Sequence, residues 1–233
     1  MGYTGNFDGE EIIDIILSKP VTAQFIARHL YSFFVSDEPQ VPAWSVTPPD
    51  DPEAISFIAD ALIASDYHME TVLKKIFNSG FFKAQRFSRV KNPTEVVIGT
   101  LRLVGGTHRP SPETLDWTGQ IAHMGQDLLN PPSVEGWHNG TEWINSGTLM
   151  KRTNFISKLI SDTRRHGVRA IIDRIKFAGI NPEVVVNACL DIMGPMEISR
   201  ETRMELVEHA EKEGDFNWYT SGEGRLIELL QLL

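Results

Sequence analysis

Apolar residues recur along this 233-residue chain at the three- and four-residue spacing of amphipathic helices. The segment 20–34 is a clear case, because Phe25, Ile26, Leu30 and Phe33 fall on one side of a helix drawn through it. No segment shows the strict alternation of apolar and polar residues that is typical of a strand. The pattern therefore predicts an all-α fold, an irregular multi-helix array. The expected helices lie near residues 9–19, 20–34, 52–64, 69–79, 93–104, 112–129, 147–162, 167–177, 182–193, 199–213 and 223–233.

Proline marks many of the predicted helix starts, because it lacks an N–H donor that the first turn would leave unpaired and its φ angle already suits a helix. It opens five of these segments, at Pro20, Pro52, Pro93, Pro112 and Pro182. A residue that can cap the first turn precedes four of the prolines, namely Asp51, Asn92, Ser111 and Asn181. These starts are therefore predicted from local chemistry as well as from periodicity.

Residues 125–149 break the helical pattern with closely spaced Gly, Pro and Asn residues. A loop of this length inside a helical protein is usually functional or disordered. Two tryptophans, Trp137 and Trp143, argue against disorder. The sequence therefore predicts one long ordered Gly/Pro/Trp loop.

Two interpretations of this loop remain open from the sequence. In the first it is a packed plug, in which Trp137 and Trp143 fill core space while Gln126, Asn130 and Asn145 satisfy loop backbone groups. In the second it is the wall of a pocket, in which the indole faces contact a ligand and neighbouring polar side chains fix its orientation. The second interpretation predicts a ligand site formed by Arg28, Trp137, His138, Asn139, Glu142 and Trp143.

The composition of that predicted site suits a carbohydrate or another polar, ring-containing molecule. Flat indoles supply apolar area, and imidazole, amide and carboxylate groups can bond hydroxyls. We therefore interpret the chain as a non-enzymatic binding or assembly module. Its expected partner is a polar ligand such as a glycan, a polar polymer or another protein.

A hydrolase-like enzyme is the alternative, with His138 acting beside Glu135 or Glu142 as the acid–base pair. No nucleophile motif accompanies these residues, so catalytic residues stay unassigned. No cofactor motif is present, and no two histidines have the helical spacing of metal ligands, so neither cofactor nor metal is predicted. The single cysteine, Cys189, lies among apolar residues and is predicted to be a buried thiol.

Arg28 lies on an otherwise apolar helix, and two roles fit it. It can form a salt bridge within the chain that ties the second helix to the loop. It can also clamp a carboxylate or phosphate of a ligand.

The formal net charge of −9 disfavours nucleic-acid binding, and no apolar run is long enough to span a membrane. Charge is nevertheless uneven. Residues 151–176 hold eight Lys or Arg against two Asp, whereas residues 197–233 hold nine acids against four bases. Either these faces complement each other within the fold, or the basic one docks an acidic partner.

Several separate motifs resemble one known family. They are Thr22–Phe34, Lys91–Glu95, Met124–Gln126 and Asn130–Trp137, followed by Trp143, Ile144, Arg152 and Asn154. In their order and spacing they are similar to the bacterial "domain of unknown function 1800" family. The resemblance implies a largely helical domain without an established activity. It also implies a possible partner protein from a neighbouring gene, because such domains are often encoded beside a second uncharacterised family that bears export signals.

Members of that family are longer than this chain, so the resemblance implies that the chain corresponds to the C-terminal half of the family domain. Only a short polar lead precedes the first helical pattern, and the amphipathic repeat at 226–233 stops without a capping residue, which also suggests a fragment. No targeting signal is present, and both a cytoplasmic and an exported location remain open. Two parts are expected, a helical core at 1–165 that carries the loop and a C-terminal helical subdomain at 166–233, packed on the core and truncated.

Overall fold

The computed structural model describes residues 2–105, 113–134, 136–194, 198–212 and 214–233. Within these ranges the chain forms twelve α-helices, two 3₁₀ turns and no strand, so the all-α prediction is confirmed. The helices are α1 (Gly9–Leu17), α2 (Pro20–Phe34), α3 (Pro52–Ala64), α4 (Met69–Asn78), α5 (Gly80–Ala84), α6 (Pro93–Leu103), α7 (Glu113–His123), α8 (Ser146–Ile160), α9 (His166–Ala178), α10 (Pro182–Met193), α11 (Arg200–Glu211) and α12 (Gly222–Leu232).

The predicted caps explain where several helices begin. Asp51 Oδ1 accepts the backbone N–H of Ala54 at 3.0 Å, and Asn92 Oδ1 accepts that of Glu95 at 2.9 Å. Asn181 caps α10 in the same way. Each cap satisfies a first-turn N–H that has no partner inside its helix. The fourth predicted cap, Ser111, lies outside the described residues.

One predicted helix end was wrong, and one short helix was not predicted. The helix expected over 112–129 ends at His123, because Gly125 adopts a left-handed φ of +103°. There the N–H of Gln126 donates to Ile121 O at 3.1 Å and that of Gly125 to Ala122 O at 2.9 Å, the bonding pattern of a Schellman C-cap. The short helix α5 was not predicted, although the Ser79 hydroxyl caps it by accepting the N–H of Phe82.

The chain divides into two compact units, and each has its own core. Unit 1 comprises Met1–Val90 and His138–Glu142 and contains α1 to α5. Small side chains allow α2 and α3 to approach closely, and larger apolar ones fill the remaining space. The buried residues of this core are Ala23, Ala27, Tyr31, Val35, Ala54, Ile55, Ile58, Ala59, Ala61, Leu62, Val72 and Ile76.

Unit 2 comprises Lys91–Trp137 and Trp143–Leu233 and contains α6 to α12. Its core draws on α6 as well as on the last helix, for example through Val97 and Leu226, which are both fully buried. The end of α6 and the start of α9 meet backbone to backbone at Gly167, where a Cβ atom would lie 2.4 Å from the carbonyl oxygen of Leu103. The predicted boundary near residue 165 falls inside this unit and stays a prediction.

Cys189 is fully buried in the core of unit 2, as its apolar neighbours predicted. Burial raises the pKa of its thiol to about 12, so the sulfur stays protonated and unreactive at neutral pH.

Part of the charge asymmetry is satisfied inside unit 2. Glu223, at the start of α12, accepts from Arg169 at 2.9 Å and from Lys176 at 2.5 Å. These two hydrogen bonds lower the pKa of the Glu223 carboxyl. Two cations of the basic segment therefore pair with the acidic C-terminal segment. In the described part of the chain, no helix has the length and apolar character needed to cross a membrane.

Candidate functional site

The connection between α2 and α3, residues 35–51, organises the polar groups of unit 1. Its central anchor is the pair formed by Arg28 and Glu38, whose Nη2 and Oε2 atoms lie 2.7 Å apart. Arg28 also donates through Nε to Glu38 at 2.8 Å, through Nη1 to Thr47 O at 3.0 Å and through Nη2 to Pro48 O at 3.1 Å. The second oxygen of Glu38 accepts the N–H of Asp50.

Both charged groups of this pair are buried, and the Glu38 side chain has no exposed surface. A buried ion pair is tolerated only when additional hydrogen bonds satisfy its atoms, and that condition is met here. The expected salt bridge within the chain is therefore present. It ties α2 to the 35–51 connection, however, and its partner Glu38 was not identified from the sequence.

Trp44 forms an aromatic cluster beside this pair. It lies in the 3₁₀ turn Val41–Ser45, and its Nε1 donates to Pro39 O at 2.6 Å. The indole lies 4.6 Å from the His29 ring and 5.5 Å from the Phe25 ring, while the Arg28 guanidinium lies 4.6 Å from its centroid. Phe25 is 48% exposed, so the outer side of the Phe25–His29–Trp44 cluster faces solvent.

A second group of polar side chains lies at the start of the same 3₁₀ turn. Gln40, the residue before the turn, donates its amide to Glu142 Oε2 at 2.5 Å. His138 Nδ1 lies 2.9 Å from the same oxygen. With its proton on Nδ1 the imidazole donates to Glu142, and the carboxylate then receives two donors on one oxygen. We call Gln40, His138 and Glu142 the polar trio.

The polar trio remains accessible. The side chains of His138 and Glu142 are 52% and 45% exposed, and Gln40 is half-buried. The trio is therefore in contact with water, unlike the neighbouring Arg28–Glu38 pair.

Gly140 allows the segment 138–142 to adopt its path. It begins the 3₁₀ turn Gly140–Trp143 with a left-handed φ of +56°. A Cβ atom there would lie 2.9 Å from the Cβ atom of Asp37. Asp37 is itself fixed, because its Oδ2 accepts the N–H of Val90 at 2.8 Å. Any other residue at position 140 would be strained and would push against the 35–51 connection.

Two pKa values report the environment of this connection. Burial lowers the pKa of His29, which favours the neutral imidazole. Burial, together with the carboxylates of Asp51, Glu38 and Asp50, raises the pKa of Tyr31 to about 12. Tyr31 therefore stays neutral beneath the acidic groups of the connection.

The six residues predicted to form a ligand site do not belong to one unit. Arg28, His138, Asn139 and Glu142 fall in unit 1, whereas Trp137 and Trp143 fall in unit 2. Asn139 is exposed beside His138. Glu135, the other predicted acid–base partner of His138, lies outside the described residues. The predicted six-residue site stays a prediction.

The tryptophans of the loop differ in burial. Trp143 is only 5% exposed, and its carbonyl oxygen accepts the hydroxyl of Thr148 at 2.9 Å. Trp137 is half-buried. Burial of this extent gives Trp143 the character of a packing residue and not of an exposed platform.

The loop amides satisfy backbone and hydroxyl groups within unit 2. Gln126 Oε1 accepts both the N–H and the hydroxyl of Thr94, at 2.9 and 2.8 Å. Asn145 caps α8 through a reciprocal pair of bonds with Thr148. Both side chains satisfy first-turn groups of a helix, Thr94 of α6 and Thr148 of α8, so the packed-plug interpretation stays a prediction.

Three contributors to the unit 1 site were missed from the sequence, namely Glu38, Gln40 and Trp44. The spacing Pro39-Gln40 followed by Trp44 inside a proline-rich connection was a usable signal, since a tryptophan in such a connection needs a partner for its Nε1. Phe25 and His29, four residues apart on α2, were the complementary signal.

The chemistry that this surface can perform is limited by its groups. Among the described residues, no three His, Cys, Asp or Glu side chains lie together as potential metal ligands. The trio offers one imidazole, one carboxylate and one amide, and the aromatic cluster adds the exposed rings of Phe25 and His29 and the half-buried ring of Trp44. These groups are able to bind hydroxyls and flat apolar faces, and the imidazole–carboxylate pair is able to exchange a proton.

The fold and the motifs define an all-α protein of a family without an assigned activity. The family model described as "Protein of unknown function (DUF1800)" matches residues 1–230, and the chain belongs to that family. No similar curated protein and no similar solved structure was found.

Proposed function

We propose that this chain is a non-enzymatic binding module that recognises a polar, ring-bearing ligand such as a glycan through unit 1. The contact surface consists of the Phe25–His29–Trp44 cluster and the polar trio, with Asn139 beside it. The observation that carries the proposal is that Gln40, the residue before the 3₁₀ turn Val41–Ser45, belongs to the polar trio, while Trp44 within that turn belongs to the aromatic cluster.

The aromatic cluster supplies the apolar half of the surface. Small-molecule sites combine apolar or aromatic walls with a few polar groups that fix orientation. The ring of a sugar has an apolar face that packs on an aromatic side chain. Trp44 is fixed in position by its hydrogen bond to Pro39 O and by the Arg28 guanidinium.

The polar trio supplies the other half. A hydroxyl group both donates and accepts, so it can accept from the Gln40 amide while it donates to the Glu142 carboxylate. Gln40 immediately precedes the 3₁₀ turn and Trp44 lies four residues further along the chain. At a rise of about 2 Å per residue, the backbones of these two residues lie about 8 Å apart along the turn, a span that one or two sugar rings can cover.

This proposal changes the role of the tryptophans that the sequence suggested. Trp143 is buried, so Trp44 provides the aromatic face, while His138, Asn139 and Glu142 keep their predicted polar role. Arg28 contributes as a positioning residue, because its donors are engaged by Glu38, Thr47 and Pro48 and it stacks against Trp44. The buried pair supports the surface from below.

A glycan array tests the proposal with wild-type protein and the variants Trp44→Ala and Gln40→Ala. We expect wild type to bind a subset of glycans and each variant to lose about tenfold or more in affinity, equivalent to about 1.4 kcal/mol. Phe177→Ala is the matched control, since Phe177 is a 92% exposed aromatic residue of unit 2. Circular dichroism of each variant separates lost binding from lost folding. Absence of wild-type binding, or equal binding by wild type and Trp44→Ala, contradicts the proposal.

A hydrolase-like activity is the second candidate, and the 2.9 Å contact between His138 Nδ1 and Glu142 Oε2 favours it. A carboxylate in this position orients the imidazole by accepting from Nδ1, so Nε2 would be the atom that transfers a proton. For a substrate found by binding, His138→Gln and Glu142→Gln should abolish turnover while binding persists. Full turnover in both variants would exclude this mechanism.

A further inference from the structure

A second cleft, distinct from the unit 1 surface, lies within unit 2 between α7, α8 and the turn that follows α8. Its volume is about 520 Å³, which is within the usual range of small-molecule sites. Residues of α8 on one helical face, Lys151, Asn154, Phe155 and Lys158, form one wall. Trp117 of α7 also lines the cleft.

The floor of the cleft is apolar. Phe155 is buried in the core of unit 2, and the half-buried Trp117 packs against that core. An indole held in this way by the core presents a flat surface at little cost in side-chain entropy. The cleft therefore offers a place for a planar group.

The rim of the cleft is basic, although the whole chain carries a formal charge of −9. Four cations, Lys151, Lys158, Arg164 and Arg165, line it against two acids, Asp116 and Asp162. A concentration of one sign of charge in a cleft attracts ligands of the opposite sign.

Asp162 does not neutralise the two lysines. Arg164 Nε donates to its Oδ1 at 2.8 Å, and Arg165 Nε lies 3.6 Å from its Oδ2. No carboxylate among the described side chains lies within ion-pair distance of Lys151 or Lys158. By contrast, Arg169 and Lys176 of the same basic segment are paired with Glu223. The basic segment is thus divided into a paired part and a part that faces the cleft.

We propose that this cleft binds a small organic anion that carries a flat ring and has about the size of a nucleotide. The ring packs against the apolar floor beside Trp117, and its carboxylate or phosphate group binds Lys151 or Lys158. The two lysines are seven residues apart on α8, about 10 Å along the helix, so one inorganic phosphate reaches only one of them. A ring-bearing anion combines the apolar floor with the charge of the rim.

Calorimetric titration of the full chain tests this inference with AMP, UMP and 1-naphthoate as probes. Adenosine, which has the ring without the charge, and inorganic phosphate, which has the charge without the ring, are the comparison ligands. We expect at least one ring-bearing anion to bind about tenfold more tightly than both comparison ligands. No saturable binding of any of the three anions at millimolar concentration overturns the proposal, and so does binding no tighter than that of adenosine and phosphate.

Variants assign the binding to the cleft. The double variant Lys151→Gln/Lys158→Gln should lose about tenfold in affinity for the bound anion, and Trp117→Leu should lose a similar amount. Arg174→Gln is the matched control, because Arg174 is exposed on α9 and does not line the cleft. Equal affinity of wild type and the double variant places the ligand elsewhere and contradicts the proposal. The unit 1 surface and this cleft share no residue. The outcome of the glycan experiment therefore does not affect the outcome of the anion titration.

Discussion

Two side-chain pairs of unit 1, Arg28–Glu38 and His138–Glu142, are linked to the same connection, residues 35–51, and they differ in access to water. Arg28 and Glu38 are buried and saturated with hydrogen bonds, whereas His138 and Glu142 are about half exposed and reach the connection through Gln40. A buried pair costs much desolvation energy and holds structure in place, while an exposed pair contributes little to folding and remains available to ligands. A structural pair therefore differs from a candidate functional pair mainly in solvent exposure and in how many of its atoms already form hydrogen bonds, and less in residue type.

The largest expected effect comes from breaking the buried pair. Glu38→Ala leaves the Arg28 guanidinium buried without a counter-charge, and we expect a loss of about 3–5 kcal/mol in the free energy of unfolding. Urea denaturation followed by circular dichroism measures this value. A loss below about 1 kcal/mol, the range of an exposed ion pair, would erase the distinction between the two pairs.

Two controls sharpen that measurement. The double variant Arg28→Met/Glu38→Leu removes both charges and should cost less than Glu38→Ala alone, because no uncompensated charge remains. Glu70→Ala removes one partner of the exposed pair Glu70–Lys74 of α4 and should cost less than about 1 kcal/mol.

A smaller effect is expected from the backbone that positions the exposed pair. Gly140→Ala places a Cβ atom against Asp37 at a left-handed φ, so we expect a loss of about 1–3 kcal/mol. The same variant should weaken any binding that depends on His138 and Glu142. Gly224→Ala on α12 is the control, because no atom lies within 4 Å of its new Cβ. Thermal denaturation of the two variants side by side gives the comparison, and equal stability would show that the 138–142 path needs no glycine.

The aromatic cluster beside the buried pair predicts a modest pH dependence. Burial lowers the pKa of His29 below its ordinary value of 6.5, so the folded state binds this proton less tightly than the unfolded state. The contribution of neutral His29 to the free energy of unfolding is therefore fully present above about pH 6.5. It is lost as the pH falls through the pKa of His29 in the folded state. Tm measured from pH 7.5 to 5 should fall less steeply in His29→Gln than in wild type. An identical slope in both would contradict the assignment.

The smallest effect is expected at the exposed pair itself. Glu142→Gln and His138→Gln should each change the free energy of unfolding by less than about 0.5 kcal/mol, because both side chains are solvated. Denaturant titration of each variant tests this expectation. A loss of 2 kcal/mol or more, about the size expected for a buried group, would make the trio structural and would remove it from the proposed ligand surface.

The helices were predictable because their signals are local. Apolar spacing and the caps Asp51, Asn92 and Asn181 act within a few residues of each helix start. The end of α7 was missed although Gly125 was visible, since apolar spacing continues past it. The five-residue helix α5 is too short for periodicity to identify.

The candidate site was only partly predictable, because its contacts join distant residues. Arg28 was expected to form a salt bridge, but its partner lies ten residues away across a loop. Gln40 approaches Glu142 across 102 residues, a distance that no local pattern encodes. Burial of Trp143 was one of the two interpretations that the sequence left open, since a tryptophan in a loop has the same sequence signature whether it packs or binds.

Gly167 has a consequence for how this sequence is able to vary over generations. The backbone oxygen of Leu103 occupies the space that any side chain at 167 would need, and backbone cannot rotate away as a side-chain tip does. Even alanine, the smallest substitution, would place its Cβ atom against the Leu103 carbonyl oxygen, so no side chain is small enough to be accepted at this position. We therefore expect lineages of this protein to keep glycine at 167 while Gly99 and Gly119, which face open space, drift freely.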